Sequence, residues 1–264
     1  MSYTLNPMIT LDVFNHAGGV GKTSITLALA HEYARRGLRV LAIDLDPQAS
    51  LTKVTGLRLT AGDLHRTIHD TAVEGSPLPT PEAVHGFHLI PSQLNVTLAE
   101  SRMLGVVGSQ LHLRRALRQV SDQYDLVLLD SPPSLGQLAI LGALASDALV
   151  VPLPTMDKGI EGLDGLRVAM EQYHKVHEAL RVAIFVPTLY DRRISHHRET
   201  LEYYQRLLTP LATEIPERSV WLDAWRARQP VGQFAAGGEA DHAVRRLADE
   251  VSAAVGLNAG VAHG

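Results

Sequence analysis

The run Gly18-Gly19-Val20-Gly21-Lys22-Thr23-Ser24 brings glycines, an ammonium group and two hydroxyls into one short segment. Glycines let a backbone curl until successive N–H groups converge on one anion, which is how a loop cradles phosphate. Lys22 stands where it can reach the β and γ phosphates of a nucleotide, and the Thr23 hydroxyl where it can ligate Mg2+. Two carboxylates belong with this loop: Asp44, opening Asp44-Leu45-Asp46-Pro47-Gln48, and Asp130, opening Asp130-Ser131-Pro132-Pro133. Asp130 is expected to hold the magnesium through water. Asp44 is expected to orient the attacking water, because phosphoryl transfer needs positioning more than strong base chemistry. Taken singly, each aspartate has a helix cap or a turn as its lesser alternative. As an ordered set with the loop, they predict an ATP-Mg2+ site in which Lys22 and Asp44 are the catalytic pair.

Such a set works only if the chain delivers all three segments to one place. Short apolar runs alternate with longer amphipathic ones, the pattern of an α/β fold with a mostly parallel central sheet and helices on both faces. Ile9 to Phe14 reads as the first strand, Lys22 to Arg36 as the helix after the loop, with Gly37 as its stop, and Val40 to Ile43 as the second strand. Phe87–Ile90, Leu126–Leu129, Leu149–Val151 and Val182–Val186 are further strands. Leu113-Ala116-Leu117-Val120, Ile160-Leu163-Met170-Tyr173 and Val244-Leu247-Ala248-Val251-Val255 follow helical spacing. Parallel strands deliver their C-terminal ends to one sheet edge, where ligands bind. Asp44 and Asp130 both stand at such ends.

The 264 residues are expected to form a single unit with a core over about 8–255. Thr71 to Gly86, rich in Pro, Gly and Ser, reads as a surface excursion, and 256–264 as a fraying tail. An apolar fraction of 45% and a charged fraction of 20% are those of an ordinary globular protein. Neither a membrane span nor a signal peptide is visible, which predicts a cytoplasmic protein. Cysteine is absent, so disulfides, thiolate metal sites and thiol nucleophiles are excluded. The net charge of -4 argues against a uniformly basic nucleic-acid binder but leaves room for a local basic patch. His65 and His69 have the spacing of a metal pair on a helix, but with no third ligand an exposed helix face is the better reading.

Phe14-Asn15-His16-Ala17-Gly18-Gly19-Val20-Gly21-Lys22-Thr23-Ser24 resembles the deviant Walker A motif of the ParA/MinD P-loop ATPases. Asp44-Leu45-Asp46-Pro47-Gln48 resembles the second motif of the ParA branch, and Tyr124-Asp125-Leu126 through Asp130-Ser131-Pro132-Pro133-Ser134-Leu135 its Walker B strand. Gly159-Ile160-Glu161-Gly162-Leu163 and Ile215-Pro216-Glu217-Arg218 are similar to further family segments, so the likeness runs from Ile9 to about Val255. It implies a DNA-partition switch of the short form, without an N-terminal helix-turn-helix domain. ATP would drive homodimerisation, the dimer would bind DNA non-specifically on the nucleoid, and a ParB-type centromere-binding partner would stimulate hydrolysis.

One departure stands inside the loop. The family carries a signature lysine before the glycine pair, reaching the nucleotide of the other subunit; here that position is Ala17. A methyl group neither donates to phosphate nor neutralises charge, so nucleotide binding in cis is expected to survive while dimerisation and turnover weaken. His16 is the nearest polar replacement, although imidazole is shorter and mostly neutral at pH 7.

A DNA-binding surface is expected from Arg192 and Arg193, from Arg218, Arg226 and Arg228, and from Arg245 and Arg246. Phosphate contacts require nothing more specific; ordinary solvated or ion-paired arginines are the equal alternative. Trp221 and Trp225, beside them, read as helix packing more than as base-stacking platforms. Two other functions stay open. A MinD-like membrane-associated ATPase would need a terminal amphipathic helix, and Leu257 to Gly264 offers no such face. A metabolic ligase of the same superfamily would need a substrate pocket of its own.

Overall fold

The structure, a computed structural model, describes residues 7–257. The first half of the chain runs β1 (Ile9–Val13), α1 (Lys22–Arg35), β2 (Val40–Asp44), α2 (Ser50–Val54), α3 (His69–Glu74), β3 (Glu82–Val84) and β4 (Phe87–Ile90). It continues with α4 (Thr97–Met103), α5 (His112–Arg118), β5 (Leu126–Asp130), α6 (Gln137–Ala145) and β6 (Ala148–Pro154). The last part is α7 (Asp157–Tyr173), β7 (Arg181–Thr188), α8 (Ser195–Leu207), α9 (Ser219–Ala227), α10 (Val231–Phe234) and α11 (Glu239–Val255).

The strands form one seven-stranded sheet in the order β3-β4-β2-β5-β1-β6-β7. Every pairing is parallel except that of β3 with β4. Both faces are covered, which is why the central strands read as unbroken apolar runs. Along β5, Leu126 and Leu128 face the core under α1 and α11, while Val127 and Leu129 face the core under α3, α5 and α6. A third cluster joins α6, α7 and α8 to the β6 side through Leu149, Val151, Leu166 and Tyr204. Trp221 and Trp225 of α9 pack partly buried against the first core, as helix packing predicts.

The registers position the site. Val13 and Asp44 both pair with Asp130, so β1, β2 and β5 end level with one another. β6 and β7 run beyond the expected Leu149–Val151 and Val182–Val186, their pairing continuing through Pro152, Pro187 and Pro154 to Thr188.

Two expectations need correction. Thr71–Gly86 is not simply an excursion: it carries the end of α3 and then β3, which pairs antiparallel with β4 across the His85-Gly86 turn. Both turn residues have positive φ, 45° and 89°, as a two-residue hairpin demands; histidine in place of Asn or Asp hid that signal. His65 and His69 do not share a helix. His65 lies in the 3-10 segment Ala61–Arg66, whereas His69 starts α3, buried, with Nδ1 2.7 Å from Asp70 Oδ1. Among the described residues no group of His, Asp or Glu is arranged to cage a metal. The tail expectation and the terminal helix test fall mostly on residues 258–264, outside the described residues.

Candidate nucleotide site

The loop between β1 and α1 is held open by two glycines in the left-handed region, Gly19 at φ 71° and Gly21 at φ 99°. Side chains rarely tolerate that conformation, so these two positions require glycine. Gly21 is also the N-cap of α1 and has no side-chain cap, which leaves the first N–H groups of the helix facing the loop. Val20 is fully buried and anchors the loop, and Thr188 Oγ1 from the end of β7 donates to its carbonyl at 2.8 Å. Asn15 ties the loop to β6 through Nδ2 and the Pro152 carbonyl, 2.8 Å, and its Oδ1 accepts from the Ala17 N–H at 2.9 Å.

Lys22 is 7% exposed and donates to the carbonyls of Asn15 and Ala17, each at 2.8 Å. An ammonium has three N–H bonds, so one remains for a phosphate. Burial lowers its pKa, and the nearby carboxylates Asp130, Asp46 and Asp12 work in the opposite direction. Thr23 Oγ1 donates to Asp130 Oδ2 at 2.8 Å. Asp130 is fully buried, and burial together with the neighbouring Asp44 raises its pKa well above the ordinary range. Ser24, half-buried, follows in the first turn of α1.

Asp44 is also fully buried, but its oxygens are engaged: Oδ2 accepts from Thr52 N at 2.9 Å and Thr52 Oγ1 at 2.7 Å, and Oδ1 from Asp46 N at 3.2 Å. Burial pushes its pKa to about 7 against those hydrogen bonds. Asp46, two residues beyond Asp44, acts electrostatically on both Lys22 and Asp130. A hydroxyl and several carboxylates are hard oxygen donors, and they fit Mg2+, which takes one or two protein oxygens and completes its shell with phosphate and water. His16 does not point into the loop. Its ring lies against Gly165 of α7, where a Cβ would be 2.1 Å from its Cε1, so helix packing occupies it.

Beside Gly21 and Ser24 opens a cavity of about 220 Å³, bounded by Thr188, Pro216 and Trp221. The indole Nε1 of Trp221 is buried without a hydrogen-bond partner. Neither Thr188 nor Trp221 was expected at the site, and the only signal for Thr188 was its place at a strand end. Asp12 was missed as well. It sits in mid-strand β1, 0% exposed, accepting from Ser131 Oγ at 2.7 Å on Oδ1 and from nothing on Oδ2, with its pKa pushed up to about 7 by burial.

The arginines divide. Arg192, Arg193 and Arg218 line one surface crevice, but Arg193 pairs with Asp191 at 2.6 Å and Arg218 with Glu239 at 3.1 Å. Arg245 forms a 2.5 Å pair with the buried Asp241, so it braces α11. Arg226 is 72% exposed and lies 4.0 Å from Asp223, a loose contact. Arg228, exposed, lies at the end of α9 against Gly56, and Arg246 is exposed on α11.

A strand, a glycine-hinged loop, a lysine and a hydroxyl at a helix start, and a buried aspartate at the adjacent strand end define a P-loop nucleotide-binding protein. The "AAA domain" family model matches residues 8–183. A probable plasmid-partitioning protein ParA of Thermus thermophilus is 43% identical over 216 residues, 78% of this chain and 66% of that protein's length. The chromosome-partitioning ATPase Soj of the same species is 34% identical over 252 residues, 91% of this chain and 94% of that one. The chain belongs to this P-loop family of ParA/Soj partitioning ATPases. Among solved structures, cobyrinic acid a,c-diamide synthase of Mycobacterium smegmatis with a bound ATP analog and magnesium is 27% identical, with a TM-score of 0.78, covering 92% of this chain and 93% of that one. Apo McdA of Cyanothece shares the fold at 20% identity, with a TM-score of 0.82 over 94% and 99% of the two chains. No helix among the described residues is long and apolar enough to cross a membrane.

Proposed function

We propose that this chain is a DNA-partition ATPase that binds ATP-Mg2+ in the loop Gly18 to Ser24. The observation that carries the reading is the convergence of Lys22, Thr23 and Asp130 at the level ends of β1 and β5, within a family named for partition. The phosphates would lie on the loop N–H groups and the free N–H of Lys22. The base would enter the cavity between Thr188, Pro216 and Trp221, where the unpaired indole N–H could donate to it. Thr23 and Asp130 would hold the magnesium, which would neutralise negative charge on the phosphates. Asp44, with Asp46 beside it, would order the attacking water. Dimerisation on ATP, non-specific DNA binding over the nucleoid and stimulation by a ParB-type partner complete the proposal, as the sequence resemblance implies; the names of the relatives support the partition role itself.

The test is ATP turnover and nucleotide affinity of the chain with and without duplex DNA, alongside Lys22→Ala. Wild type is expected to bind ATP and to turn it over faster with DNA and partner. Lys22→Ala should lose about a hundredfold in affinity, since a charge-assisted phosphate contact is among the strong hydrogen bonds. Turnover indifferent to DNA would favour the second reading, a carboxylate-activating ligase, which the likeness to cobyrinic acid a,c-diamide synthase raises.

A further inference from the structure

Helix α7 packs closely against the end of β6 and the segment before the phosphate loop, at three residues that have no side chain. A Cβ on Gly159 would lie 2.1 Å from Pro154 O, one on Gly162 3.1 Å from Asn15 Nδ2, and one on Gly165 2.1 Å from His16 Cε1. The helix is therefore seated against the segment leading into the loop, and its first turn overhangs the loop itself.

Lys158, exposed in that first turn, donates from Nζ to the Gly18 carbonyl. Its Nζ is 3.8 Å from where a Cβ on Gly19 would stand. Its charge reaches Lys22, whose proton affinity it lowers. The neighbouring Asp157 is taken by His196, at 3.0 Å, and among the described residues no carboxylate pairs with Lys158. Two ammonium groups therefore flank one loop, the buried Lys22 and the exposed Lys158.

We propose that Lys158 is a second phosphate-binding cation of this site, moving in its own chain from the Gly18 carbonyl to the terminal phosphate of a bound nucleoside triphosphate. The inference rests on the reading that the loop holds ATP. A triphosphate carries more negative charge than a diphosphate, and the charge shifts further during transfer. Lys22 has two of its three N–H bonds committed to loop carbonyls, and Ala17 contributes none. Lys158 is a compact charge on a flexible stem, and it gives up a single hydrogen bond to a neutral carbonyl. Its contact point is the Gly18 carbonyl, whereas the cavity assigned to the base is lined by Gly21 and Ser24 and by neither Gly18 nor Lys158.

The test compares wild type with Lys158→Ala, Lys158→Gln and Lys158→Arg in the full chain, titrated with fluorescent ATP and ADP analogues and assayed for turnover. The alanine and glutamine variants are expected to lose about tenfold or more in ATP affinity relative to ADP, with turnover falling at least as far, and arginine to restore most of both. The ratio of ATP to ADP affinity is the readout that a merely structural lysine would not move. An alanine variant that keeps that ratio and its turnover within about twofold of wild type overturns the inference. Wild type that binds neither nucleotide overturns the underlying reading and this one with it, and is told apart by the wild-type titration alone.

Discussion

Thr23 Oγ1 and Asp130 Oδ2 lie 2.8 Å apart, joining the start of α1 to the end of β5 across 107 residues. The bond keeps the hydroxyl turned toward the carboxylate, so a magnesium ion would meet both oxygens already aligned. Asp130→Asn should lower turnover by about a hundredfold, because it removes charge from the metal shell without changing its shape. The measurement is turnover against magnesium concentration. A variant with wild-type turnover and an unshifted magnesium midpoint would remove Asp130 from the metal site.

Asp44 and Asp46 invite a direct comparison. Asp44 is held by Thr52, whereas Asp46 acts on Lys22. Asp44→Asn and Asp46→Asn should each leave ATP affinity within about threefold and lower turnover by about a hundredfold. Should Asp44→Asn turn over normally while Asp46→Asn is dead, the ordering of water belongs to the second carboxylate.

Asp12 makes stability depend on pH. Its folded pKa of about 7 lies above the ordinary carboxylate value of 3.8, so the folded chain keeps a proton that the unfolded chain releases. The contribution is full below about pH 4 and is lost as pH rises toward about 7. Asp44, shifted the same way, adds to the trend in the nucleotide-free chain. Asp12→Asn should flatten the fall in urea stability between about pH 4 and 7 by an amount of order a few kcal/mol, discounted for relaxation. Equal slopes for wild type and variant would show that Asp12 is solvated.

The arginines separate DNA contact from structure. Arg226→Glu and Arg246→Glu, at exposed positions, should weaken binding to any duplex sequence and reduce its salt dependence, leaving the melting temperature nearly unchanged. Arg245→Glu sets a second carboxylate against the buried Asp241 and should instead destabilise the fold by about 3 kcal/mol. DNA retention unaffected by both exposed reversals would move the interface elsewhere, the crevice of Arg192, Arg193 and Arg218 being next to test.

Much of the candidate site was legible because a phosphate loop writes its backbone demands into adjacent residues. The loop needs glycine at positive φ at Gly19 and Gly21, and the carboxylates need strand ends, so Lys22, Thr23, Asp44 and Asp130 could be read by type and spacing. The β3–β4 hairpin was not legible, because His85-Gly86 carries no strong turn signal and β3 is short. Asp12 was hidden for the opposite reason: one polar residue in an apolar run reads as noise until its strand is seen to be covered on both faces.

By itself, then, the sequence determined the sheet class, the phosphate loop and the two aspartates, since each follows from periodicity or from the backbone demands of a few neighbouring residues. Only the tertiary structure decided what stands around them. It seated α7 by its glycines, brought Lys158 to Gly18 across 140 residues, and committed Arg245 to Asp241. These are contacts between remote segments, set by which helix packs on which face of the sheet, and no local pattern encodes a partner so far along the chain.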